Sequence, residues 1–265
     1  MTEAIVGLFA GLLIGSFLNV CIHRLPRDLS VIRPRSYCPA CETPIAAHDN
    51  IPVLSYILLG GRCRHCAARI PLRYPAVELL TAALFAVTAG AMGFSLATVK
   101  WCLFEALMVG LTFSDLEERI LPDEFTLGGG AAGVVLAAWV PMDPGYAQLF
   151  LGPFLNGRWL SMAESLMGAV IGSGLLWLIG WLYQAVRHKE GLGLGDVKML
   201  ATTGAFMGLH GTLQTLVLAS LAGSLIGLVY IKLTKKDYSS YQLPLGTFVG
   251  ATAIVIALLQ GPLGR

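Results

Sequence analysis

"AIVGLFAGLLIGSFLNV", residues 4–20, carries no charged side chain. Crossing a bilayer core of roughly 30 Å as a helix takes about 20 apolar residues, and this run with its flanks supplies them. Its leading residues hold Glu3 and no Lys or Arg. A secretory signal opens on a positive stretch, so the segment is read as a retained first membrane helix. Working outward, similar runs lie near 76–94, 98–114, 125–140, 162–183, 197–209, 213–232 and 244–260. Composition agrees: 55% of residues are hydrophobic and 13% charged, with a mean hydropathy of +0.71, well outside the range of soluble domains. The expected fold is an all-α polytopic membrane protein of about eight transmembrane helices.

Basic residues set the orientation. Arg24, Arg27, Arg33, Arg35, Arg62, Arg64, Arg69 and Arg73 crowd between the first two runs, which makes that side cytoplasmic. Alternating onward leaves every Lys and Arg on the same side except Lys100, Arg158 and Arg265. The net charge of +2 follows from this topology and gives no reason to expect a nucleic acid partner. Three parts are expected: residues 1–20 as the first transmembrane helix, 21–75 as a small cytoplasmic insertion, and 76–265 as a seven-helix membrane domain. The loop 141–160 is rich in turn formers and carries no readable chemistry. No internal repeat is evident. Gly7, Gly11 and Gly15, like Gly168 with Gly172 and Gly223 with Gly227, stand four apart, which suits close helix packing.

The insertion holds "CPAC" at 38–41 and "CRHC" at 63–66. Two such knuckles can place four thiolates around one tetrahedral ion, as in zinc ribbons. On the cytoplasmic side thiols stay reduced, which argues against disulfides. Cys38, Cys41, Cys63 and Cys66 are therefore expected to bind a structural Zn2+ that staples a segment too small to build its own core. Four protein ligands leave no open position for a catalytic water. Cys21 and Cys102 lack such partners and read as packing residues.

Acids near membrane spans are costly and usually have a role. Asp115 ends the third run and Asp196 begins the sixth, on the same face and at similar depth. Two carboxylates brought together can share one proton. The ionised member can then take a proton from water while the other polarises a carbonyl. That is amide hydrolysis without a metal or a covalent intermediate. "GLGLGDVK" (191–198) has neither the spacing nor the preceding strand of a phosphate-binding loop. Its glycines permit unusual backbone conformations or a close approach of another chain. The bland alternative for Asp196 is a helix cap. Asp123 and Glu124 read as first-turn acids, Glu78 and Glu105 as span acids able to pair with a neighbouring helix, with Glu105 equally able to face the core. The loop 115–124, at a formal charge of −4, could meet a basic partner or simply be solvated.

These motifs, taken in order, resemble the type IV prepilin peptidases. "GSFLNVCIHRLPR" (15–27), "CPAC", "DNIPVLSYILLGGRCRHC" (49–66), "RYPAVELLTA" (73–82), "DLEERILPDEFTL" (115–127) and "GLGLGDVKMLATTGAFMG" (191–208) are similar to that family's motifs, the last containing the GxGD signature of presenilin-like intramembrane proteases. The resemblance implies that Asp115 and Asp196 are the catalytic pair. It implies a bifunctional enzyme of the bacterial inner membrane, acting on prepilins of type IV pili or pseudopilins of type II secretion. A short basic leader would be removed after a Gly on the cytoplasmic side, and the new N-terminal residue methylated with S-adenosylmethionine. It also implies that Gly60, Gly61 and the segment around Asn50 matter to methylation. One departure stands out: where the family commonly has a Pro-Phe-Gly-Pro-like run, this chain reads "LPLGTFVG" (243–250), which bears on substrate preference or the wall of the active site. The competing readings are a proton- or cation-coupled transporter using the same acids and a noncatalytic membrane anchor.

Overall fold

The computed structural model describes residues 1–143, 145–188, 192–234 and 244–263. Lys189, Glu190 and Gly191 before the Asp196 motif, Lys235, Lys236, Leu243 and Arg265 lie outside the described residues. The described chain is all-helical and divides into two compact units, Met1–Thr98 and Val99–Arg265.

In the first unit, α1 (Thr2–Arg24) packs along α3 (Arg73–Met92). The glycine ladder makes this possible. A methyl group on Gly11 would sit 2.6 Å from Ala82 Cα, and one on Gly15 2.7 Å from Glu78 Cα, so only glycine lets the two backbones come this close. The partners descend along α3 as α1 ascends, so the pair is antiparallel. Between them, the chain is held by turns, the short α2 (Leu54–Leu58) and side-chain ties. Arg24, buried at the end of α1, donates to the carbonyls of Ser30 (2.9 Å) and Arg35 (3.4 Å). Arg64 forks onto Asp49, Nε to Oδ2 at 2.7 Å and Nη2 to Oδ1 at 2.6 Å.

The second unit is entered through α4 (Leu96–Glu118). It continues with α5 (Gly129–Ala137), α6 (Gly145–Leu151), α7 (Gly157–Met167), α8 (Ser173–Arg187), α9 (Leu194–Thr234) and α10 (Leu245–Gln260). Among the described residues five stretches are long and apolar enough to cross a membrane: Thr2–Arg27, Arg73–Met92, Leu96–Glu118, Gly157–Arg187 and Leu194–Tyr230. The difference from the eight expected runs has identifiable causes. The run at 125–140 is divided between a π-helical turn, Glu124–Gly128, and the short α5. The runs at 197–209 and 213–232 both lie in α9, which breaks at Gly208 (φ 71°, ψ −177°). That at 244–260 becomes α10, a shorter apolar helix.

The break at Gly208 is supported from outside the helix. Glu164 of α7, 1% exposed, accepts a hydrogen bond from the Leu209 N–H (3.0 Å) at the break and another from the Ala147 N–H (2.7 Å). A helix interrupted in an apolar environment must have its freed amides satisfied by protein. A π-helical turn, Gly168–Gly172, joins α7 to α8, and there Gly168 lies against the backbone of Gly204 and Gly208. Buried Ser161 and Ser165 tie α7 to the Ala137 and Ala205 carbonyls.

Candidate active site and metal centre

Asp115 sits in the last full turn of α4, 6% exposed. The helix stops just beyond it because Arg119 turns left-handed (φ 55°), its N–H bonding to the Asp115 carbonyl (3.0 Å) as in an αL cap. Ser114 Oγ donates to the Ile120 carbonyl (2.7 Å) and fixes the reversal. Asp196 lies in the first turn of α9, with its N–H on the Gly193 carbonyl (3.2 Å). Neither Gly193 nor Gly195 has a positive φ, so an unusual backbone conformation is not what these two glycines supply. Gly195 serves close approach: a methyl group there would be 3.1 Å from Leu121 Cδ1, in the loop that follows Asp115.

The two carboxylates converge on the start of α10. A methyl group on Gly246 would be 2.9 Å from Asp115 Cγ and 3.2 Å from Asp196 Oδ1. The backbone amides of Gly193 and Gly246 are turned toward the Asp196 carboxylate. Asp115 Oδ2 accepts two hydrogen bonds from one residue, Thr247 N–H at 2.6 Å and Thr247 Oγ1 at 2.8 Å. Proline has no N–H to give, so the departure at 243–250 equips this chain with two donors where the family's second proline would supply none. Gly250 lets α10 seat against Thr112 and Met199, completing the junction of α4, α9 and α10. Sequence reasoning saw residues 244–247 only as a departure, although Gly246 and Gly250 repeat the four-residue spacing noted elsewhere.

The remaining acids have other tasks. Asp123 is paired with Lys198, whose Nζ lies 2.7 Å from Oδ1 and 3.0 Å from Oδ2. The pair takes one charge of the 115–124 loop out of the account for a basic partner. Glu78 of α3 accepts the Val53 N–H (2.7 Å) from the cysteine-bearing segment and also a hydrogen bond from the Ser16 side chain on α1, the neighbouring helix.

Cys38, Cys41, Cys63 and Cys66 have their sulfurs all within 4.8 Å of one another. A tetrahedral ion with metal–sulfur bonds of about 2.3 Å requires sulfurs about 3.8 Å apart; Cys38 and Cys66 Sγ are 3.8 Å apart, far beyond disulfide length. Both knuckles fold alike at an offset of 25 residues. Glu42 N–H bonds to the Cys38 carbonyl and Ala67 N–H to that of Cys63, with Glu42 and Ala67 both left-handed (φ 56° and 55°). Tyr37 bridges Pro44 as Arg62 bridges Arg69, and Ile45 N–H reaches the Ser36 carbonyl as Ile70 N–H reaches that of Gly61. Contacts with the Thr43 side chain and backbone bring the Cys41 thiol down to about 6. Against a backbone hydrogen bond from Ala68, burial and the adjoining thiols push Cys66 up to about 11. Four thiols this close resist joint ionisation unless a cation stands among them. The cluster can hold a metal ion.

Comparison with known proteins gives two family matches, the Bacterial Peptidase A24 N-terminal domain over residues 9–92 and the Type IV leader peptidase family over residues 102–228. Proteins named prepilin leader peptidase/N-methyltransferase are similar along most of the chain. That of Aeromonas salmonicida is 37% identical over 97% of this chain and 90% of its own. That of Pseudomonas aeruginosa is 34% identical over 95% and 88%, and that of Neisseria gonorrhoeae 36% over 83% and 78%. No solved structure matches. With both domain families present in order and relatives of this identity over nearly its whole length, the chain belongs to the type IV leader peptidase family.

Proposed function

We propose that this chain is a membrane-embedded aspartyl endopeptidase that removes the basic leader of prepilins or pseudopilins and then N-methylates the new N-terminal residue. The observation that carries the peptidase reading is the meeting of Asp115 and Asp196 at Gly246. Two donors converge on Asp115 Oδ2, the surroundings of an oxygen that carries no proton. Asp115 then acts as base and Asp196 as acid. Asp115 takes a proton from water as the water oxygen attacks the scissile carbonyl carbon, and Asp196 gives its proton to the carbonyl oxygen. The tetrahedral species collapses when Asp115 returns its proton to the leaving nitrogen and Asp196 recovers one from the hydroxyl, so both carboxylates regain their starting states. A glycine before the scissile bond eases local unwinding of a helical substrate whose amide bonds are otherwise hidden.

S-adenosylmethionine is the methyl donor in this reading; it supplies an electrophilic methyl group to the freed amine. The four cysteines hold a structural Zn2+, supported by their mutual distances and by a closed donor set with no open position. The charge distribution supports eight spans in a bacterial inner membrane, with the two parts of α9 crossing separately, 125–140 and 244–260 crossing as well, and both the cysteine segment (21–75) and the two aspartates toward the cytoplasm. Exposed Trp177, Trp181, Leu218, Leu221 and Leu225 are side chains that lipid would cover. The transporter reading has no support among the relatives, and acids grouped at helix ends do not make a midplane relay.

The test is cleavage of a purified prepilin in detergent by the wild type, Asp115→Asn and Asp196→Asn, with mass spectrometry reading the cut and the addition of a methyl group. Each folded variant is expected to lose cleavage and still methylate pre-cut pilin. Cleavage by either at the wild-type rate would refute the pair.

A further inference from the structure

The methyl-transfer half of the reading above leaves a ligand without a site, and the first unit contains a hollow whose chemistry suits it. A cavity of about 220 Å³ lies where the end of α1, the start of α3 and the cysteine-bearing segment meet. Two of its lining residues are placed at a cost. Asn19, 2% exposed, donates through Nδ2 to the Tyr74 carbonyl (3.0 Å), while its Oδ1 is buried with no hydrogen-bond partner. A buried acceptor left in that state is destabilising by about 1–3 kcal/mol, so the fold holds open an acceptor for something that brings a donor. Glu78, 7% exposed, places a carboxylate at the same hollow. It accepts the Val53 N–H and the Ser16 hydroxyl, two neutral donors that leave its charge unpaired by them, and Val53 holds φ 60°, ψ −48°, a conformation that β-branched residues avoid. Tyr56 also lines the hollow; its ring lies against Gly61, where a methyl group would be 2.9 Å from the Tyr56 hydroxyl.

An orphan acceptor, a buried carboxylate and an aromatic face together select a ligand that is cationic, rich in N–H donors and partly aromatic. A sulfonium nucleoside has all three properties: a positive sulfur, an ammonium group and a flat base with an exocyclic amine. We propose that this cavity is the binding site of the methyl donor, with Glu78 facing its positive charge, Asn19 Oδ1 accepting one of its N–H groups and Tyr56 offering a face to its base or its cation. The proposal rests on the chain being a methyltransferase. The aspartate pair of the second unit takes no part in it.

The test uses the full-length protein in detergent and measures binding of S-adenosylmethionine by equilibrium dialysis, with prepilin cleavage assayed on the same samples. Glu78→Gln keeps shape and the contact with Val53 while removing charge. Loss of one charge-assisted contact weakens binding about tenfold or more, and the loss is expected to be larger for S-adenosylmethionine than for S-adenosylhomocysteine, which lacks the sulfonium charge. Asn19→Leu is expected to weaken both ligands, and cleavage is expected to stay at the wild-type level in both variants. Should either variant fold poorly, ultraviolet crosslinking of labelled S-adenosylmethionine to the wild type, followed by peptide mapping, is expected to mark peptides within residues 16–78. Wild-type affinity in both cleaving variants, or a crosslink confined to residues beyond 98, would overturn the site while leaving the methyltransferase reading intact. A wild type that cleaves but binds no donor would overturn both.

Discussion

Gly246→Ala is the sharpest probe of the two-aspartate site, because it adds one carbon at the place where both carboxylates converge. That carbon would lie 2.9 Å from Asp115 Cγ, 3.0 Å from Asp115 Oδ2 and 3.2 Å from Asp196 Oδ1. Comfortable contacts between carbon atoms begin at about 3.5 Å, so the carboxylates must give way by roughly 0.5 Å or more. Asp115 cannot yield freely, since two Thr247 donors hold its Oδ2. Reacting groups misplaced by about 1 Å can lose 10²-fold in rate, and overpacking of this kind costs about 1–3 kcal/mol of stability. The expected outcome is a folded protein whose kcat for prepilin cleavage falls by about 10²-fold, while methylation of pre-cut pilin persists. Single-turnover cleavage followed by mass spectrometry measures the first, and thermal unfolding in detergent measures the second cost. Gly128→Ala is the control: a methyl group there meets no atom within 4 Å, so cleavage should be unchanged. Wild-type cleavage by folded Gly246→Ala would refute the geometry, because no productive arrangement of the pair could then include that close contact.

Thr247→Val removes the hydroxyl donor to Asp115 and keeps the amide; a hydrogen bond to a charged group is worth about 1.5–3 kcal/mol. A tenfold or greater fall in kcat with little change in KM is therefore expected, with recovery in Thr247→Ser; an unaltered kcat would show that the bond does not position the base. Metal analysis should find one zinc per wild-type chain and none in Cys63→Ser, with protease cuts appearing between residues 25 and 72 in that variant; a metal-free wild type with a protected segment would sink the staple. Glu164→Leu strips the Leu209 and Ala147 amides of their acceptor and is expected to cost about 2–6 kcal/mol, two unsatisfied buried groups, read as a lower unfolding temperature. Arg64 holds the Asp49 carboxyl below its ordinary range. A depressed folded value means that the stabilisation is present above the unfolded value, near pH 4, and is lost as pH falls through the folded one. Hydrogen exchange around residues 47–66 should therefore be slower in wild type than in Asp49→Asn at pH 7 and alike in strong acid.

What could be read in advance depended on whether the determining interaction was local. Apolar runs report membrane helices because lipid imposes one rule on every residue in the run, and all eight runs do lie mainly on helix. Their division was less legible. Hydropathy cannot register that Gly208 turns to φ 71°, since the turn depends on Glu164, 44 residues earlier, reaching the Leu209 amide. The two CxxC pairs were legible, but the shared backbone fold around them was hidden for a related reason. Residues 36–45 and 61–70 share only two cysteines and an isoleucine, because the fold there is fixed by carbonyl–amide bonds that most side chains tolerate. The thiols carry the specificity.

The same distinction separates the visible and hidden parts of the aspartate site. Asp115 and Asp196 announce themselves because a carboxylate near a span is expensive; Gly246 and Thr247 are ordinary residues made important by where α10 starts. Pro244 precedes that helix and Gly246 clears its first turn, which brings the Thr247 N–H, still free of intrahelical bonding at a helix start, onto Asp115 Oδ2. A first-turn amide is a donor that needs a partner, and a buried carboxylate is an acceptor that needs donors. Each resolves the other's cost. In this chain the donor exists only because residue 247 is not proline, and so the base should depend on α10 here through hydrogen bonds that a Pro-Phe-Gly-Pro sequence at the same place could not form.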